Sequence, residues 1–131
     1  MKYDLEERTE KFSLSVRDFC LQVKHSVINM EYIKQLVRSA GSIAANYIEA
    51  NENLGKNDLK MRIKISKKET KESRLWLKHI ITNNEQLEET RRILIQETIE
   101  LQNIFAAILK RLEDKYLIKI YFHPPFRIFT F

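Results

Sequence analysis

"LKMRIKISKKETKESRLWLK", residues 59–78, carries two stripes that a helix alone can make. At about 100° per residue, Leu59, Ile63, Ser66, Thr70, Ser73 and Leu77 fall along one side, continued by Ile80. Lys60, Lys64, Lys67, Lys71, Arg74 and Lys78 recur at intervals of four and three and form a basic stripe on another side. A strand, with its period of two, would scatter both sets over two faces. The spacing predicts a helix over about 58–82, with a small, partly hydroxylated buried side. Met61, Ile65 and Trp76 give it a second apolar side, so contacts on two faces are expected.

The rest of the chain extends the helical reading. Its 131 residues suit one domain. Two glycines and two prolines are too few for the turns of a many-stranded fold. The fold class expected is therefore all-α. Apolar residues from Leu5 to Val27 (Phe12, Val16, Phe19, Cys20 and Val23 between them) mark a first amphipathic helix. A second, capped by Asn29 with Glu31 in its first turn, turns Ile33, Leu36, Val37, Ala40, Ile43, Ala44, Tyr47 and Ile48 inward. Gly55 suits the left-handed position that ends a helix, and Asn57 can cap the third. After "TNNEQLEE" a fourth runs to about Lys115 with Leu87, Leu94, Leu101, Phe105, Ile108 and Leu112 inward. Four amphipathic helices with short links predict an antiparallel up-and-down bundle over residues 1–116.

Residues 117–131, "LIKIYFHPPFRIFTF", are expected to be a separate, non-helical aromatic tail. Nine of these fifteen residues are large and apolar, and both prolines lie here.

Charge narrows the function. The net charge is +5, yet residues 54–79 alone hold nine basic and three acidic groups, so the positive field is local. The stripe spans about 27 Å of helix axis, long enough to meet several phosphates. An acidic protein partner is the other occupant such a face suits, with Trp76, Met61 and Ile65 making a subunit or partner contact. Base stacking is not predicted, since aromatic residues are not interleaved with the cations.

Catalytic chemistry has no foothold in the pattern. There is no glycine-rich phosphate loop, no His-Glu-x-x-His, no Cys-x-x-Cys and no Glu-x-x-His, while His25, His79 and His123 fall in unrelated places. Cys20 sits on the apolar face of the first helix, where a buried thiol is expected. No enzyme activity, metal or cofactor is expected. A charged N-terminal stretch, a lone cysteine and no long apolar run point to the cytoplasm, away from membranes.

In the second helix Ser39, Ser42, Asn46, Glu49 and Asn53 form a polar row. It suits hydrogen bonding to Ser66, Thr70 or Ser73 of the third helix, or to a neighbouring subunit, better than chemistry. Here "YDLEERTEKF", "QLVRSAGSIAANYIEANE" and "KNDLKMRIKISKKETKESRLWL", in that order and spacing, give the chain a family likeness. Over residues 3–115 it resembles the small bacterial four-helix-bundle proteins first noted as reading frames within intervening sequences of 23S ribosomal RNA genes. The matching motif positions are Ser42, Asn46, Glu49, Glu52, Glu69 and Glu72. The resemblance implies a ring-shaped homopentamer of up-and-down bundles with a basic surface. It also implies kinship to the accessory protein of diversity-generating retroelements, a pentamer that binds a reverse transcriptase and RNA. Gly41 inside the second helix and the aromatic tail depart from the pattern. The function expected is a non-enzymatic oligomer that binds RNA or DNA backbone through Lys60, Lys64, Lys67, Lys71, Arg74 and Lys78.

Overall fold

The computed structural model describes residues 5–52 and 55–122, with side chains as far as residue 114. Among them are four α-helices and no strand: α1 (Leu5–Gln22), α2 (Val27–Asn51), α3 (Lys56–His79) and α4 (Glu85–Phe122). Each helix packs on the next and α4 returns to α1, while the diagonal pairs stay apart. This arrangement is consistent with the four-helix bundle expected. One core runs through it, built on Phe12, Val16, Phe19, Leu36, Ile43, Ile63, Leu77, Leu101 and Phe105.

Polar cross-links fix the register between helices. Along α2 and α3, Asn29 meets Ile81 beyond the end of α3, Ser39 Oγ meets Ser73 Oγ at 2.8 Å, and Ser66 Oγ donates to the Ile43 carbonyl at 3.1 Å. Asn46 and Arg62 follow, at 3.0 Å. Between α3 and α4, Arg74 meets Thr98 and Gln102, and Arg91 donates to the Leu77 carbonyl at 2.7 Å. Arg8 of α1 holds Glu97 and Glu100 of α4 at 2.7 and 2.9 Å. The buried hydroxyls are satisfied: Thr70 and Thr98 bond back to Lys67 and Ile95 of their own helices, as such residues do in helix interiors.

The helix ends depart from the sequence reading. Ser26, not Asn29, caps α2, its Oγ accepting from the Asn29 N–H at 3.1 Å. Asn29 is instead buried, because its amide can bond three backbone groups of the neighbouring connections at once. Gly55 precedes α3 at φ 140°, ψ 158°, an extended mirror conformation open to glycine and not the left-handed helical one. Asn57 therefore lies within α3 and caps nothing. Val27 begins α2, and Val37 and Ile48 also face solvent, since contacts with α1 and α3 leave that side of α2 uncovered.

A further correction concerns the tail. α4 continues to Phe122, so residues 117–122 are helical where a non-helical tail was expected. Extending a formed helix costs little per residue, and no proline interrupts the backbone ladder before Pro124. The remainder, 123–131, lies outside the described residues, as does Asn53. Among the described residues no helix is long and apolar enough to cross a membrane.

Candidate nucleic-acid interface

The basic stripe divides once its side chains are placed. Arg74 is drawn between α3 and α4, donating to Thr98 Oγ1 at 3.3 Å and Gln102 Oε1 at 2.5 Å. It is committed to holding two helices together. Lys60 stands 3.9 Å from the Glu113 carboxylate, a loose and half-exposed pair. Lys64, Lys71 and Lys78 are exposed, and Lys67 is half-buried on the side toward α4.

What the sequence reading missed is the second wall. Lys64, Lys67, Lys68 and Lys71 of α3 and Lys110 of α4 line one open groove of about 540 Å³, with Ala106 and Leu109 on its α4 side and Glu113 at one end. Five cations against one carboxylate leave a concentrated positive field. Lys110 escaped notice because it lies nearly forty residues further along, and only the pairing of α3 with α4 brings it across. A second hollow, of about 520 Å³, is lined by Glu85, Glu88, Glu89, Arg91, Arg92 and Ile95. Arg91 pairs with Glu88 and Arg92 with Glu89, which leaves the Glu85 carboxylate over, so this hollow offers no positive field.

The motif residues sit on the other side of α3, against α2. Glu69 is 4% exposed and accepts from Arg38 Nη1 at 3.0 Å, while Arg38 also holds Glu72. Burial pushes the Glu69 carboxyl up, but Ser42, Glu72 and Arg38 together outweigh it and leave the group below its ordinary value. Asn46 donates to the Ser42 carbonyl at 2.9 Å and to its Oγ at 3.0 Å, and accepts from Arg62. Arg62 Nε lies 3.6 Å from the Asp58 carboxylate. Ser42, Asn46, Glu69 and Glu72 thus form an interhelical ladder with Arg38 and Arg62. Glu49 and Glu52 are exposed on the same helix and outside this ladder's described bonds, Glu52 capping α2 through its backbone.

The arginines were the unread half of this ladder. The signal was present: Arg38 lies one turn before Ser42, and Glu69 and Glu72 are one turn apart on the facing helix. Trp76 turns from the groove as expected and stacks on Tyr32 of α2, with ring centroids 6.0 Å apart. His79 meets both rings edge-on. Of the second apolar side, Trp76 packs against the core while Met61 is exposed.

Chemically, the excess of cations along the groove suits an anion. Among the described residues no three His, Cys, Asp or Glu side chains gather to hold a metal ion. Burial pushes the Cys20 thiol up to about 11, so it is protonated at neutral pH and a poor nucleophile. No family model, curated protein or solved structure matches the chain.

Proposed function

We propose that the chain is a non-enzymatic, antiparallel up-and-down four-helix bundle that binds the phosphate backbone of RNA or DNA in the lysine groove between α3 and α4. The observation that carries this reading is the convergence of Lys64, Lys67, Lys68, Lys71 and Lys110 on one groove. The antiparallel path is supported by the cross-links, whose residue numbers rise along one helix as they fall along the next. Lysines on two rigid helices pre-organise a track for phosphates without reading bases.

Self-association belongs to the same proposal. The likeness of residues 3–115 to the intervening-sequence bundle proteins favours a homopentamer, in which each subunit repeats the groove and weak contacts gain avidity. A second reading, a protein scaffold whose basic face meets an acidic partner, draws on Met61 and Leu75, which stand exposed on the α3 surface that also carries Lys68.

Retention on immobilised structured RNA separates the two. Charge reversal of Lys64, Lys67 and Lys71 to Glu abolishes retention if the groove binds phosphates. A wild-type chain that is never retained at low salt, with its helices intact, favours the scaffold.

A further inference from the structure

The two ends of the lysine groove differ in charge. Each end is marked by a cross-link between α3 and α4, Lys60 with Glu113 at one and Arg74 with Thr98 and Gln102 at the other. At 1.5 Å per residue the two lie about 21 Å apart along α3. Glu113 is the one carboxylate among the residues that line the groove. Its side chain is 58% exposed, and its Oε1 stands 3.9 Å from the Lys60 ammonium, itself 36% exposed. So loose a pair adds little to the stability of the bundle. Its effect falls on the groove, where it occupies one cation and sets a negative charge beside five others.

The opposite end carries no such charge. The Arg74 guanidinium donates there to two neutral oxygens, Thr98 Oγ1 and Gln102 Oε1, which fix its position and leave its charge uncancelled. Lys78, exposed and one turn further along α3, continues the positive face. An anion lying in the groove therefore meets a carboxylate toward Lys60 and further cations toward Lys78.

We propose that Glu113 is the residue that sets where a bound phosphate backbone ends. By holding Lys60 and repelling phosphate, it stops the path at Lys64 and leaves it to run over Lys67, Lys68, Lys71 and Lys110, past Arg74 and toward Lys78. Lys60 belongs to the basic stripe by spacing, yet it neutralises no phosphate in the wild-type protein. This role for Glu113 rests on phosphate binding in the groove, and one salt series tests the two separately.

The test is fluorescence anisotropy of a labelled structured RNA across that series, for wild type, Lys60→Gln, Glu113→Gln and the double variant of the full chain. Neither side chain belongs to the core, and circular dichroism checks that the helices are intact. Lys60→Gln is expected to leave the slope of log affinity against log salt unchanged. Glu113→Gln should bind roughly fivefold more tightly at low salt, because a like charge about 4 Å from the phosphate is removed. Its slope should be steeper by about 0.7–0.9, as the released Lys60 takes up one more phosphate. The double variant should return to the wild-type slope. A slope that flattens in Lys60→Gln, one that Glu113→Gln leaves unchanged, or a double variant as steep as Glu113→Gln would overturn the role of Glu113 while leaving the groove a phosphate site. No binding by wild type at low salt would overturn both.

Discussion

Asn29 and Ile81, fifty-two positions apart, bond as two peptide groups would. Asn29 Nδ2 donates to the Ile81 carbonyl at 2.9 Å, and the Ile81 N–H donates to Asn29 Oδ1 at 2.9 Å. The same Nδ2 reaches the Lys24 carbonyl at 2.9 Å. One buried amide thus ties the α1–α2 connection to the α3–α4 connection. Asn29→Ala leaves three backbone groups without this partner and is expected to cost about 3 kcal/mol or more in urea unfolding. Asn29→Asp should cost at least as much, because a carboxylate turns lone pairs toward two carbonyl oxygens. An Asp variant as stable as wild type would contradict the clasp.

Gly41 is a stabilisation site. A methyl group there would meet only Ser13 Oγ, at 4.0 Å, an ordinary contact. Since glycine inside a helix costs roughly 0.5–1 kcal/mol relative to alanine, Gly41→Ala should raise stability by about that amount in urea titration. Gly55→Ala should do the opposite, as its φ of 140° disfavours a side chain.

The Arg38–Glu69 pair gives a pH signature. Glu69 is held below its ordinary value in the fold. Its contribution is therefore present above the unfolded value, about 4.3, and is lost as pH falls through the lower folded value. Wild-type stability should fall on acidification below about pH 4. Glu69→Gln, weaker at neutral pH because Arg38 loses its buried partner, should show a shallower fall over the same range. Equal slopes for both proteins would remove Glu69 from the account.

Cys20 reports the integrity of the core. Buried, with its thiol pushed up to about 11, it should resist a thiol reagent at pH 7 in the native state and react promptly in denaturant. Rapid native-state labelling would mean that α1 opens far more readily than its packing suggests.

Much of the fold was legible because apolar spacing reports burial directly. Phe12, Val16, Phe19, Leu36, Ile43, Ile63, Leu77, Leu101 and Phe105 are all in the core, where the helical period puts them. The small hydroxyl side of α3 was also readable, and Ser73 does meet Ser39. Less legible were contacts set by pairing across helices. Asn29 resembles a cap by type and position, and only the neighbouring connection makes it a clasp. Arg74 belongs to the basic stripe by spacing, but Thr98 and Gln102 claim it. Lys110 joins the groove by tertiary placement alone, and the helical continuation to Phe122 overrides a local composition that looked non-helical.

The most direct measurement is fluorescence anisotropy of a labelled structured RNA and a matched DNA duplex against this protein across a series of salt concentrations, for wild type and Lys110→Glu. Lys110 lies on α4, so its replacement tests the two-helix groove and not merely a basic helix. The prediction is a linear fall of log affinity with log salt, with a slope smaller in magnitude by about 0.7–0.9 for each phosphate that the variant no longer neutralises. Identical slopes and affinities for the two proteins, or no binding by wild type at low salt with its bundle intact, would contradict the claim that this groove is a phosphate track.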